Sequence, residues 1–257
     1  MCTVSWISQP GEYDLFFSRD EQRSRALAQP PRRNQTGETA WLAPRDPQRG
    51  GTWILANAHG LTVCLLNAYT LTQPNPLTSP TASRGNLPLI LADAKNMEAC
   101  RQRLEEGVRS DHYDSFCLLC LVPNAPPAWW IWNGSDLHRV SDPVNPPLTT
   151  SSFDSQRVRR RRLATFQTVI EDKQQPTSVD LLRFHQCPGE SARAETVRMS
   201  RPDARTVSLT RGTLTDSALR MAYAEREDDA GFSSWQTVSI PRSIGTVPQN
   251  DDTEAST

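Results

Sequence analysis

Cys2 is the residue of this chain with the clearest capacity for chemistry. Small second residues permit removal of the initiator Met1, and a chain that starts at Cys2 carries a thiol nucleophile and a free α-amine in one residue. The reference pKa of the thiol is about 8.5 and that of the amine about 7.7–8.0, so the amine can take the thiol proton near neutral pH. Such a nucleophile needs neither a histidine nor a metal ion. Cysteine also occurs at position 2 without any such role, so its surroundings matter.

A predicted hairpin surrounds Cys2. Residues 2–8 and 13–19 have the composition of two strands, joined by the turn signal Gln9-Pro10-Gly11-Glu12. A symmetric turn places Cys2 opposite Arg19, and directly opposed residues share one face of a sheet. A guanidinium beside the thiol would favour the thiolate, which is the reactive form.

Asp20 follows Arg19 at the end of the second predicted strand, on the nominally opposite face. Its carboxylate lies near the start of the chain, where it could hold and orient the α-ammonium of Cys2. The alternative is that Arg19-Asp20-Glu21 is only a charged exit into a solvated loop. The terminal cysteine favours the first interpretation.

Asn67 ends a second predicted hairpin. Residues 52–57 and 61–67 read as its strands, and Gly60 suits a turn position with positive φ. An asparagine at the end of a buried strand can donate its amide N–H to a developing oxyanion. Alternatively, Asn67 caps its own turn.

These motifs together resemble a known family, the NRDE family, also called transport and Golgi organisation protein 2-like. The resemblance rests on Met1-Cys2-Thr3, Phe17-Ser18-Arg19-Asp20-Glu21, Gly50-Gly51-Thr52-Trp53 and Leu66-Asn67, with fainter matches at Ser83-Arg84-Gly85 and Trp132-Asn133-Gly134. The family is named after an Asn-Arg-Asp-Glu motif, whose first member is Ser18 here. Such families are similar to N-terminal nucleophile hydrolases, especially choloylglycine hydrolases and penicillin V acylases.

The resemblance implies both a fold and a site. The implied fold is α+β, a four-layer αββα sandwich of two largely antiparallel sheets with Cys2 between them. The implied catalytic residues are Cys2, Arg19, Asp20 and Asn67, with Arg205 on a late strand as a further candidate. Thr150 stands where relatives carry a catalytic-site asparagine, and this departure puts hydrolytic competence in question.

Length and composition agree with one globular domain. The chain has 257 residues and 37% hydrophobic content, enough for a substantial core. We expect residues 1–246 to form a single domain and the polar, acidic residues 247–257 to form a disordered tail.

Charge and hydropathy exclude several classes of partner. The formal net charge is −1, so no overall field draws the chain to nucleic acid or to an anionic membrane. No apolar run approaches the ~20 residues of a membrane span, which predicts no stable membrane insertion. No signal peptide precedes Cys2, so we expect a cytoplasmic location.

Several further segments have readable patterns. Residues 73–88 predict a loop at the substrate rim. Near-helical apolar spacing predicts a helix over residues 87–107, and residues 111–122 predict a strand. The Trp-rich residues 129–132 favour core packing over a ligand pocket, and Asn133-Gly134 predicts a two-residue hairpin turn.

The arginine run Arg157 and Arg159–Arg162 opens a predicted helix that ends near Ile170. A basic cluster could bind phosphate or nucleic acid. No aromatic stacking platform accompanies it, so a solvated helix face is favoured.

Cys117 and Cys120 have CxxC spacing without a second pair, in an apolar run. This setting favours buried core cysteines over zinc or redox chemistry. The four histidines are scattered without metal-ligand spacing. We therefore expect neither a cofactor nor a metal ion.

The function that these features favour is hydrolysis of a linear amide or N-acyl substrate by an N-terminal cysteine. The first alternative is a non-catalytic protein that handles haem or lipid, as the resemblance to the transport and Golgi organisation family implies. The second is an interaction module that uses the Trp-rich strand and the arginine-rich helix.

Overall fold

Two antiparallel sheets lie face to face in the computed structural model of this chain, which describes residues 2–69, 82–110, 113–171, 173, 175–188, 194–227 and 231–243. The strands are β1 (Cys2–Gln9), β2 (Glu12–Gln22), β3 (Gln29–Thr36), β4 (Thr39–Arg45), β5 (Ile54–Asn57), β6 (Thr62–Asn67), β7 (Phe116–Leu121), β8 (Ala128–Trp132), β9 (Leu137–Arg139), β10 (Leu148–Thr150), β11 (Ala204–Leu214), β12 (Ala218–Glu227), β13 (Gly231–Phe232) and β14 (Gln236–Pro241). The helices are α1 (Leu87–Ile90), α2 (Met97–Ser110), α3 (Ser155–Ile170) and α4 (Ser178–Gln186), and a 3₁₀ turn spans Arg84–Asn86.

The first sheet has the strand order β10-β1-β2-β11-β12-β13, with β14 also paired to β12. The second sheet follows chain order from β3 to β9. Helices α3 and α4 cover the outer face of the first sheet, and α1 and α2 cover that of the second. These four layers confirm the predicted αββα sandwich.

The register of the first hairpin matches its prediction pair by pair. Cys2 lies opposite Arg19, Val4 opposite Phe17 and Trp6 opposite Leu15. Gly11 occupies the turn with φ of 77°, a region that glycine enters without steric cost. A slip by one residue would move the apolar face, with Val4 and Trp6, away from the core between the sheets.

The main core lies between the two sheets. Cys2, Val4 and Trp6 contribute to it from β1, and Leu66 contributes from the second sheet. The Cys2 side chain therefore points into the space between the sheets. It lies at the edge of this core and lines a cavity.

The prediction of one continuous helix over residues 87–107 is wrong. Two helices, α1 and α2, form instead, with a break between them. Within the break, the buried Asn57 donates hydrogen bonds from Nδ2 to the carbonyl oxygens of Ala92 and Ala94, at 3.1 and 2.8 Å. The two carbonyl groups between α1 and α2 are therefore bound by a side chain of strand β5. A contact from distant sequence therefore overrides the helical spacing.

The Trp-rich strand β8 packs in the core, as predicted. Trp130 and Trp132 face α2, whereas Trp129 packs against the core between the sheets. The turn after β8 is longer than the predicted two residues, since β9 begins only at Leu137. Asn133 Oδ1 accepts backbone N–H bonds from Ser135 and Asp136 and so stabilises the wider loop.

Cys117 and Cys120 are both buried, and they face opposite sides of the second sheet. The predicted tail at residues 247–257 and most of the predicted rim loop at 73–88 lie outside the described residues. Of the helices in the described part, none combines the length and apolar character needed to cross a bilayer.

Candidate active site

Strand β1 holds Cys2 between two neighbouring strands. Cys2 is paired with Arg19 on β2 and with Thr150 on β10. Directly opposed residues of antiparallel strands have Cβ atoms about 4.5–5.5 Å apart on the same face. The thiol is therefore flanked by a guanidinium on one side and a hydroxyl on the other.

Cys2 lines a cavity of about 300 Å³ at one end of the two sheets. The lining contains four arginines, namely Arg19, Arg25, Arg49 and Arg84. It also contains four acidic residues, namely Asp20, Glu21, Asp46 and Asp114. Such a dense set of charges is suited to a polar ligand.

Arg19 is buried and held by several contacts. Its Nη2 lies 3.1 Å from Glu21 Oε2 and 3.7 Å from Asp46 Oδ2. Its Cζ lies 4.2 Å from the centroid of the Trp53 ring, a cation–π contact. Arg25 contacts the same two acids. The two arginines and two acids form one neutral network.

Burial dominates the ionisation of Cys2. Removal from solvent raises the pKa of the thiol to about 11, although the terminal ammonium and Arg19 lower it. Asp20 and Glu21 raise it further. The guanidinium acts in the predicted direction, but in the chain that retains Met1 its effect is smaller than that of burial. The thiol is then protonated at neutral pH.

Asp20 lies on the face of the first sheet opposite Cys2 and also lines the cavity. Its Oδ2 accepts a hydrogen bond from Arg162 Nη2 at 3.1 Å, and its Oδ1 accepts one from Thr206 Oγ1 at 2.5 Å. The side chains of Asp20 and Arg162 are both 0% exposed. This buried ion pair fixes Asp20 at the end of β2.

Arg162 is a residue whose role the sequence interpretation missed. A solvated helix face is wrong for this arginine, which projects from α3 onto the first sheet. Its Nη1 donates to Thr3 Oγ1 and to Thr149 Oγ1, so together with Asp20 it contacts β1, β2 and β10. The available signal was its spacing of four residues from the buried Val158 and Phe166.

Ser18, the departure from the family motif, lies away from the cavity. It faces α4, where its Oγ is 2.7 Å from His185 Nδ1, and Ser5 Oγ is 2.8 Å from His185 Nε2. Burial lowers the pKa of His185 to about 3, so the ring is neutral and can accept one bond while donating the other. The change at position 18 therefore leaves the lining of the cavity unaltered.

The remaining site residues differ in their placement. Asn67 ends β6 and lines the cavity, where its Nδ2 donates to the Tyr69 hydroxyl at 2.9 Å. Arg205 lies on β11 opposite Glu21, half-buried and outside the lining of the cavity. The structure thus brings together Cys2, Arg19, Asp20 and Asn67 around one cavity, without Arg205.

Thr150 is the second residue whose possible role the sequence interpretation missed. Its Oγ1 is buried and has no hydrogen-bond partner among the described residues. A buried hydroxyl without a partner costs free energy unless a ligand or water satisfies it. Because Thr150 lies beside Cys2, that unused donor is available near the thiol. Within the described ranges, no group of three or more His, Cys, Asp or Glu residues could hold a metal ion.

The fold, two stacked antiparallel sheets between helices, is similar to that of solved hydrolases of the N-terminal nucleophile type. Among solved structures, penicillin V acylase from Agrobacterium tumefaciens has a TM-score of 0.52 at 13% identity, over 86% of this chain and 82% of that one. The C2A mutant of conjugated bile acid hydrolase from Clostridium perfringens has a TM-score of 0.52 at 12% identity, over 94% and 92%.

The chain belongs to the Transport and Golgi organisation 2 family, whose family model matches residues 1–212. That range contains the first hairpin, the cavity lining and α3. No curated protein matches the chain.

Proposed function

We propose that this protein hydrolyses a linear amide or N-acyl compound, with Cys2 as the nucleophile after removal of Met1. The observation that carries the proposal is the position of Cys2 at a charged cavity, between Arg19 and Thr150. The similarity in fold to a penicillin V acylase and a conjugated bile acid hydrolase supports a hydrolytic reaction.

The proposed reaction has two half-reactions. The α-amine of Cys2 accepts the thiol proton, and the thiolate attacks the substrate carbonyl carbon. The tetrahedral intermediate collapses with cleavage of the C–N bond, and the α-ammonium returns the proton to the departing amine. Water, deprotonated by the same amine, then attacks the thioester. Release of the carboxylic acid restores the thiol.

Removal of Met1 is essential to this scheme. While Met1 is present, the nitrogen of Cys2 is a peptide amide and cannot act as a base. The thiol then has a pKa of about 11 and is almost entirely protonated at neutral pH. A free α-amine on the same residue supplies the missing base.

We assign supporting roles by position. Arg19 lies opposite Cys2 and favours the thiolate through its charge. Asn67 and Thr150 are side-chain donors for the oxyanion. Asp20 orients the α-amine, and Arg162 holds Asp20 in place. A role for Arg205 stays a prediction of the sequence alone.

Turnover of a panel of N-acyl amides tests the proposal. Cys2→Ala should abolish release of the amine product. Cys187→Ala is the matched control, because Cys187 is the most exposed of the described cysteines and lies outside the cavity lining. A panel substrate cleaved equally well by wild type and Cys2→Ala would show that Cys2 is not the nucleophile.

The alternative of haem or lipid handling has weaker support. The eight charged residues around the cavity disfavour a large apolar ligand, since burying apolar surface against unsolvated charges is costly. A volume of about 300 Å³ is also at the lower end of the range for ligand pockets. Stoichiometric haem binding by the Cys2→Ala protein would reverse this ranking.

Two expectations about the cellular setting stay proposals. The net charge of −1 supports the absence of a nucleic-acid partner, and a filter-binding assay would test it. A cytoplasmic location would be tested by fractionation of cells that express the tagged chain.

A further inference from the structure

The charged residues that line the cavity leave an excess of positive charge when each ion pair is counted as neutral. Arg19 and Arg25 are balanced by Glu21 and Asp46. Asp20 is balanced by Arg162, which lies on the outer side of the sheet. The lining then retains two arginines and one acid, namely Arg49, Arg84 and Asp114. An excess of positive charge therefore faces the same space as Cys2.

Arg84 is the better fixed of the two remaining arginines. It opens the 3₁₀ turn Arg84–Asn86 and is half-buried, and its Nη1 donates to the Ser115 carbonyl oxygen at 3.0 Å. Among the described residues, no carboxylate is paired with Arg84. A guanidinium has five N–H donors, so most remain available for a planar, bidentate acceptor.

A close backbone contact holds Arg84 against the cavity. Thr52 N donates to the Gly85 carbonyl oxygen at 2.9 Å. A Cβ on Gly51 would lie 2.5 Å from the Gly85 carbonyl carbon, so this approach needs glycine. The segment that carries Arg84 is thereby packed directly against Gly51 and Thr52, which also line the cavity.

Arg49 and Asp114 are both exposed at the cavity. Their charges are therefore screened by solvent and contribute less than that of Arg84. Arg84 is consequently the dominant unbalanced charge near the thiol.

We propose that Arg84, assisted by Arg49, forms a subsite for an anionic group, so that the substrate is an amide bearing a carboxylate or another oxyanion. The identification of the anionic ligand as a substrate rests on the proposed function. The anion subsite itself does not depend on that function. Neutral amides of the same shape bind without the bidentate contact and are disfavoured.

Isothermal titration calorimetry on the Cys2→Ala protein tests the subsite without turnover. The probes are N-benzoylglycine and its uncharged carboxamide, with benzamidomethylphosphonate to distinguish a carboxylate from a phosphonate preference. We expect N-benzoylglycine to bind about 10- to 100-fold more tightly than the carboxamide. Arg84→Gln should remove most of that difference and leave carboxamide binding unchanged.

Two further variants sharpen the result. Arg84→Lys retains the charge but loses the planar fork, so it should recover only part of the preference. Arg220→Gln makes the same change of net charge at an exposed position outside the cavity lining and should have no effect.

Equal binding of acid and carboxamide, or binding of neither up to the solubility limit, overturns the subsite. A preference that survives Arg84→Gln overturns the assignment to Arg84. Failure of the hydrolase proposal would give a different result. The wild-type chain would then cleave none of the N-acyl amides but would still bind anions selectively.

Discussion

At the scale of single residues, the two strands beside Cys2 set the chemistry that is open to it. Arg19 contacts Glu21, Asp46 and the Trp53 ring, which hold its charge beside Cys2. That charge alone does not overcome the burial of the thiol. The α-amine released by removal of Met1 is therefore the decisive group in the proposed mechanism.

The pH dependence of Cys2 alkylation tests this dependence on the amine. In a chain with Lys inserted between Met1 and Cys2, which retains Met1, the labelling rate should rise towards an apparent pKa of about 11. The mature chain should react at least about tenfold faster near neutral pH, because its amine accepts the thiol proton. Labelling rates from intact-mass spectra provide the measurement. Identical pH profiles for the two chains would argue against the amine as base.

Arg162 offers a test of the buried ion pair. Arg162→Met removes the buried guanidinium that pairs with Asp20, and we expect a loss of about 3–5 kcal/mol in the free energy of unfolding. Urea denaturation measures this loss. Arg160→Met, on the exposed side of α3, should change stability by no more than about 0.5 kcal/mol. Equal stabilities of the two variants would mean that the Asp20 pair is not the anchor of β2.

At the scale of elements, two contacts position the site: α4 on the first sheet and the 3₁₀ turn on the loop before β5. Helix α4 contributes His185 between Ser5 and Ser18, directly behind the hairpin that carries Cys2 and Arg19. The 3₁₀ turn contributes Arg84 through the contact of Gly51 with Gly85. Both contacts join segments that are distant in sequence.

The docking of α4 should depend on pH through His185. Its pKa is about 3 in the fold and 6.5 in the unfolded chain, so between these values only the unfolded chain binds the proton. Acidification below 6.5 therefore destabilises the fold by about 1.4 kcal/mol per pH unit, or about 2–3 kcal/mol over two units. Denaturation series should show this slope in wild type and not in His185→Gln. A slope unchanged by the substitution would contradict a neutral, buried His185.

Gly51→Ala should displace the turn that carries Arg84. Its new Cβ would overlap the Gly85 backbone, which costs about 1–3 kcal/mol and moves Arg84 from the cavity. Carboxylate selectivity measured by calorimetry should fall with it. Gly212→Ala is the matched control, because its Cβ would meet only Leu15 Cδ2 at 4.0 Å. Normal selectivity in Gly51→Ala would mean that this contact does not place Arg84.

Local patterns predicted part of this architecture because the governing forces were local. The hairpin register followed from alternation around Gly11, and the buried Trp-rich strand from its composition. The break between α1 and α2 depends on Asn57, and the burial of Arg162 depends on Asp20 and Thr3. Neither partner is near in sequence, so neither effect was visible in a sequence window.

At the scale of the whole molecule, the four layers bring the start of the chain to the end of the inter-sheet core. The first sheet supplies Cys2 and Arg19, the second sheet supplies Asn67, and the loops between strands supply Arg49 and Arg84. The layered arrangement was expected from family resemblance, whereas the charged lining became apparent only from the assembled structure. That lining supports the proposal of a small, polar amide as substrate over a lipid.

Intact-mass spectrometry of the native, purified chain incubated with a benzoylglycine thioester tests directly whether Cys2 is an N-terminal nucleophile. We expect a mass that lacks Met1 and gains one acyl group, mapped to Cys2 by peptide digestion and lost in Cys2→Ser. Retention of Met1 throughout the sample, or acylation confined to other cysteines, would contradict it.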